Sequence, residues 1–150
     1  MQAQMLAPAA LLVLWSIIML WWAAFTRFSA IAKLEDKSGI GKPGGRGQDL
    51  EGVLPDTVNW KSHNYTHLME QPTVFYAAVL IIAIMGAGSW DVLLAWIYVA
   101  IRIVHSLWQS LVNRIPVRIL LFTISTIAVM ILAVRAVMAT LFFDPSLAPA

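Results

Sequence analysis

The apolar positions of this chain fall into four long runs separated by short polar breaks. The first run extends from Met5 to Phe25, and no charged side chain interrupts it before Arg27. Crossing about 30 Å of hydrocarbon takes about 20 apolar residues in a helix, so this run predicts a membrane helix over about 6–32. Pro8 is tolerated there because the first turn of a helix has no N–H partner to lose. The segment from Lys33 to Ser62 is polar and holds Gly39, Gly41, Pro43, Gly44, Gly45 and Gly47, which reads as a flexible loop. The next apolar stretch, Thr73 to Ala87, has only 15 residues and is too short to span. The second helix must therefore start near Asn64 and carry His67 and Glu70 into the membrane, giving a helix over about 64–87. Gly86, Gly88 and Ser89 mark a tight turn, and a third helix follows over about 90–112. Pro116 sits just inside the fourth, over about 116–143, where its missing N–H costs nothing. The tail 144–150 is short and expected to be mobile. There is no internal repeat. Connections this short favour antiparallel neighbours, so the pattern predicts one domain: an all-α integral membrane protein, an up-down four-helix transmembrane bundle.

Composition supports a lipid solvent. The 150 residues are 60% hydrophobic and 12% charged, whereas a soluble domain carries about 25% charged residues. A fold of this size still exposes much of its area, so so much apolar surface cannot all be hidden in its own core. The net charge of +2 is small and no basic cluster forms a phosphate stripe, which argues against nucleic acid as a partner. The absence of cysteine excludes disulfides, thiolate metal sites and a cysteine nucleophile. The N-terminal run lacks a basic flank and is too long for a cleavable signal, so it is expected to be a retained first helix. Lys33, Lys37, Lys42, Arg46 and Lys61 lie in the first loop, and Arg114 and Arg118 at the third. Basic loops stay cytoplasmic, so both termini are expected to face outward, with loops 1 and 3 inside.

Charged groups at bilayer depth are costly and usually face the bundle interior. His63, His67 and Glu70 are spaced by four and three and share one face of the second helix. Tyr98, Arg102, His105 and Gln109 are spaced by four, three and four and share one face of the third. A rise of about 1.5 Å per residue places Glu70 roughly 9 Å, His105 roughly 11 Å and Arg102 roughly 15 Å from the cytoplasmic ends of their helices. Glu70 and Arg102 can then meet, either as a packing pair or in a cationic pocket capped by Arg114 and Arg118. Arg135, near the outer end of the fourth helix, is expected to snorkel to the interface. His63, His67 and Glu70 also match a ligand spacing, with His105 as a further donor. Histidine pairs at that spacing are frequent by chance, and no metal is expected. The tryptophans and methionines read as interfacial belt and core.

Three segments carry a family resemblance. NYTHLMEQPTVF (64–75) resembles the Asn-x-x-Glu-x-x-Pro-type opening of the second helix in the MAPEG family, the membrane-associated proteins of eicosanoid and glutathione metabolism. Glu70 matches its glutamate. AIRIVH (100–105) resembles the Ala-Arg-Ile-x-His run of the microsomal glutathione transferases, and in NRIPVRILLF (113–122) Arg118 matches the arginine that activates the glutathione thiol. The chain looks like a bacterial-type member of an inner membrane. The resemblance implies a homotrimer binding glutathione between subunits, with Arg118 catalytic and Glu70, Arg102, His67, His105, Arg114, His63 and Gln109 around the peptide. It implies a transferase or peroxidase acting on lipophilic small molecules amid membrane lipids. The chain departs from the family pattern at His67, which replaces an asparagine, and at His63, which replaces an arginine of mammalian members. Gln109 replaces a tyrosine. Imidazoles are weaker anion anchors than guanidinium at neutral pH. Two other readings remain: a non-catalytic lipid- or partner-binding scaffold of the same fold, and a His/Glu metal-site protein.

Overall fold

The computed structural model describes residues 1–37, 40 and 42–143. The expectations for Gly39, Gly41 and the tail 144–150 fall outside the described residues. Four long helices make up the fold: α1 (Gln2–Ala32), α2 (Asp56–Met85), α3 (Ser89–Leu111) and α4 (Ile115–Leu141), with a 3-10 turn at Gly47–Leu50 in the first loop. Each is long and apolar enough to cross a membrane.

The helices exceed the apolar runs mainly on the basic side. α2 begins at Asp56, one residue after Pro55, rather than at Asn64. The polar residues 56–63 continue the helix because Pro55 starts it and Asp56 favours its first turn electrostatically. At the opposite end α1 starts at Gln2 rather than Leu6, and α4 ends at Leu141, short of the expected 143.

α1 packs on α2 and α3, α4 packs on the same two, and α2 also meets α3. Among the described residues α1 and α4 do not touch, so α2 and α3 form the shared spine. The seams use small residues: Ser16, Ala23, Ala78, Ala83, Ala95, Ser106, Ala128, Ser125 and Ala136 are all buried. Lipid offers no hydrophobic drive between helices, so close backbone approach and side-chain hydrogen bonds hold them together. α3 is inverted relative to a soluble helix. Asp91, Tyr98, Arg102, His105, Ser106 and Gln109 point inward, while Leu93, Trp96, Val104 and Leu107 point out. Polar cross-links follow from that: Asn64 Nδ2 and Trp15 Nε1 both donate to Ser106 Oγ, at 2.8 and 3.1 Å. Gln71 Nε2 donates to Thr126 Oγ1 at 2.7 Å, tying α2 to α4.

The connectivity brings the first and third loops to one end of the bundle. Lys61 Nζ there donates to the carbonyl of Ser110 at 3.3 Å and lies 5.2 Å from the centre of the Trp22 ring.

Candidate functional site

Arg102 is 1% exposed, and its Nη2 donates to the backbone carbonyl of His67 at 2.7 Å. Its Nε and Nη1 have no partner within the chain. The carbonyl it meets lies just before a weak place in α2. Pro72 lies inside that helix and supplies no N–H to the carbonyl of Leu68, one turn back.

The pairing of Glu70 with Arg102 is not made within the chain. Glu70 Oε2 instead accepts from His67 Nδ1 at 3.0 Å, and the Glu70 side chain is 59% exposed. The helix turn explains this. Leu68 and Pro72 are buried on the inward face, and two residues from either corresponds to about 200° around the axis. Glu70 therefore points out of the bundle core.

Arg118 lines a cavity of about 340 Å³ together with His67, His105, Ile115, Ile119 and Phe122. The His67 and His105 rings stand edge-on with centroids 6.4 Å apart, and His105 lies 6.4 Å from Phe122. Arg118 Nη1 donates to Asn113 Oδ1 at 2.7 Å, while its buried Nε is unpaired. Two imidazoles and a guanidinium thus share a cavity whose other walls are apolar, an arrangement suited to an anion with a greasy reaction partner.

A second, polar cleft of about 490 Å³ adjoins it and is lined by Arg27, Arg46, Glu51, His63 and again His67. Arg27 Nε is buried without a partner. Gly47 lets this arginine approach: a Cβ at that position would lie 2.7 Å from Arg27 Nη1. Arg27 and Arg46 were missed by sequence reasoning. Their only signal was the basic excess at this end, because nothing in their spacing shows that α1 and the first loop meet.

The other sequence candidates are dispersed. His63 Nε2 and Glu51 Oε1 form a 2.7 Å contact, which draws His63 toward the loop. Among the described residues no three His, Cys, Asp or Glu side chains form a group able to hold a metal ion. Gln109 is buried with its Oε1 unpaired and lines neither cavity. Arg114 is exposed, and its carbonyl accepts from Trp108 Nε1 at 3.3 Å. Arg135 does not simply snorkel. Its Nε and Nη2 donate to Asp91 Oδ1 and Oδ2 at 2.9 and 3.1 Å, because Asp91 is 1% exposed on the facing helix and needs a counter-charge.

The fold and this site define an integral, multi-pass membrane protein: a four-helix bundle with imidazole and guanidinium groups gathered at its basic end. The MAPEG family profile matches residues 5–138, and the chain belongs to that family, whose members serve glutathione and eicosanoid metabolism. No curated protein and no solved structure matches it.

Proposed function

We propose that this protein is a glutathione-dependent membrane transferase or peroxidase acting on lipophilic electrophiles. The observation that carries the reading is the adjacency of the two cavities: His67 lines both, with Arg27 and Arg46 on one side and Arg118 on the other. The residues fit the peptide chemically. Arg27 and Arg118 each keep a buried Nε–H unpaired within the chain, and a guanidinium pairs with carboxylates in a fork. Glutathione supplies the sulfur nucleophile. Its thiol, with an ordinary pKa of about 8.5, is mostly protonated at neutral pH, and a permanent cation beside it favours the thiolate. Arg118 holds that charge as the thiolate sulfur attacks an electrophilic carbon and expels its leaving group, or attacks the O–O bond of a lipid hydroperoxide. The latter attack, with one proton, releases the alcohol and leaves the sulfur as a sulfenic acid, which a second glutathione converts to the disulfide and water. Arg27 and Arg46 anchor the carboxylates, and His67 and His105 donate hydrogen bonds between them. Ile115, Ile119 and Phe122 admit the lipophilic substrate from the bilayer.

The same reading places the basic end in the cytoplasm of a bacterial inner membrane and assembles the chain as a homotrimer. Purified protein in detergent, titrated with glutathione, is expected to develop thiolate absorbance that Arg118→Ala abolishes. No binding at millimolar glutathione would sink the proposal. Copurified lipid without thiol-dependent turnover would instead favour a binding scaffold.

A further inference from the structure

Asn113 lies in the three-residue link between α3 and α4 and is the one non-glycine residue with positive φ among those described, at 55°. Its backbone N–H donates to the carbonyl of Trp108 at 2.8 Å and closes α3. The left-handed region disfavours most side chains but is reached by asparagine, which also serves as a helix C-cap. That conformation has a second consequence. The carboxamide of Asn113 accepts from Arg118 Nη1 at 2.7 Å, five residues ahead and on the next helix. Arg118 is the guanidinium that lines the cavity with His67 and His105.

We infer that Asn113 is a positioning residue for Arg118: its neutral carbonyl oxygen fixes the guanidinium at the cavity wall without cancelling its charge. The inference rests on the glutathione reading of that cavity. A carboxylate here would hold Arg118 equally well but compensate the cation that the bound anion needs. A side chain without an acceptor would leave the charge but free the guanidinium to rotate into solvent. Asparagine meets both requirements and also tolerates the backbone conformation of the link.

Two variants separate these requirements from helix capping. Asn113→Gly keeps the left-handed cap, which glycine favours, and removes only the carboxamide. Asn113→Asp keeps an acceptor and adds charge. The first readout is the pH titration of glutathione thiolate absorbance on detergent-purified protein. Both variants are expected to raise the bound-thiol pKa by about one unit, or about tenfold less thiolate at a fixed pH below it, with glutathione affinity changed less than the thiolate yield. The second readout needs no glutathione: the phenylglyoxal modification rate of Arg118, located by peptide mass spectrometry. Asn113→Gly is expected to accelerate it severalfold, and Asn113→Asp is not.

Wild-type thiolate titration in either variant overturns the inference, even if Arg118 becomes more reactive. So does an unchanged Arg118 modification rate in Asn113→Gly. If the wild-type protein binds no glutathione, the functional reading fails separately, and faster modification of Arg118 in Asn113→Gly still upholds the positioning role.

Discussion

Individual side chains in this bundle are governed by what lies across a helix seam. Asp91 is buried at the end opposite the basic loops. It accepts from the Gly88 N–H at 2.9 Å as well as from both Arg135 donors. Hydrogen bonds to charged groups contribute about 1.5–3 kcal/mol each to stability, so Asp91→Ala is expected to cost about 2–3 kcal/mol. Arg135→Ala should cost a similar amount, because it strands a buried carboxylate. The double variant should lose less than the sum of the two, measured as thermal or denaturant midpoints in detergent. Additive losses would show that the pair is not coupled. Tyr98, Arg102, His105 and Gln109 were legible as one inward face, since their spacing lies within a single helix. Their partners were not, because a partner depends on how a different helix is rotated. Glu70 shares a face with His67 yet turns from Arg102, and Asp91 meets Arg135 across 44 residues of chain.

At the level of elements, part of the polar stretch between α1 and α2 is regular structure. α2 extends eight residues beyond its expected start, and those added turns carry Lys61 to α3 and His63 to the first loop. The loop itself holds a 3-10 turn at Gly47–Leu50, pinned where Asp49 Oδ2 accepts from the Arg46 N–H at 2.7 Å. Gly47 within it makes room for Arg27. Gly47→Ala is therefore expected to displace that guanidinium and weaken glutathione binding severalfold by calorimetry. The thermal midpoint should barely move, because position 47 is exposed. Undiminished affinity would remove Arg27 from the binding cleft. The glycines of this loop read only as flexibility in the sequence. The reason is that close approach of a side chain from α1 leaves no periodic trace.

For the whole molecule, solvent inverts the usual arrangement. Leu14, Trp21, Ile84, Ile119 and Val134 are all about half or more exposed, while Arg102 and Asp91 are buried. Lipid replaces water outside, and unpaired polar groups are driven inward or to the ends. The cysteine-free chain makes orientation directly testable, since a single introduced thiol has no background. Lys42→Cys in the first loop should react in intact cells only with membrane-permeant maleimide. Labelling by an impermeant reagent would reverse the proposed topology.

Hydropathy and helical period settled the four spans, the inward polar face of α3 and the membership of a membrane bundle, because these depend on neighbours within one helix and on transfer from water to lipid. Arg118 was legible from charge only as a cap at the basic end, and its place in the motif came from the family resemblance of segment 113–122. The joining of Arg27 and Arg46 with His67, the hold of Asn113 on Arg118 and the Asp91–Arg135 pair emerged only when the helices were packed. The first and last are set by how distant segments sit against one another, and the Asn113 contact by the left-handed backbone of the short α3–α4 link, none of which a hydropathy or helical period encodes.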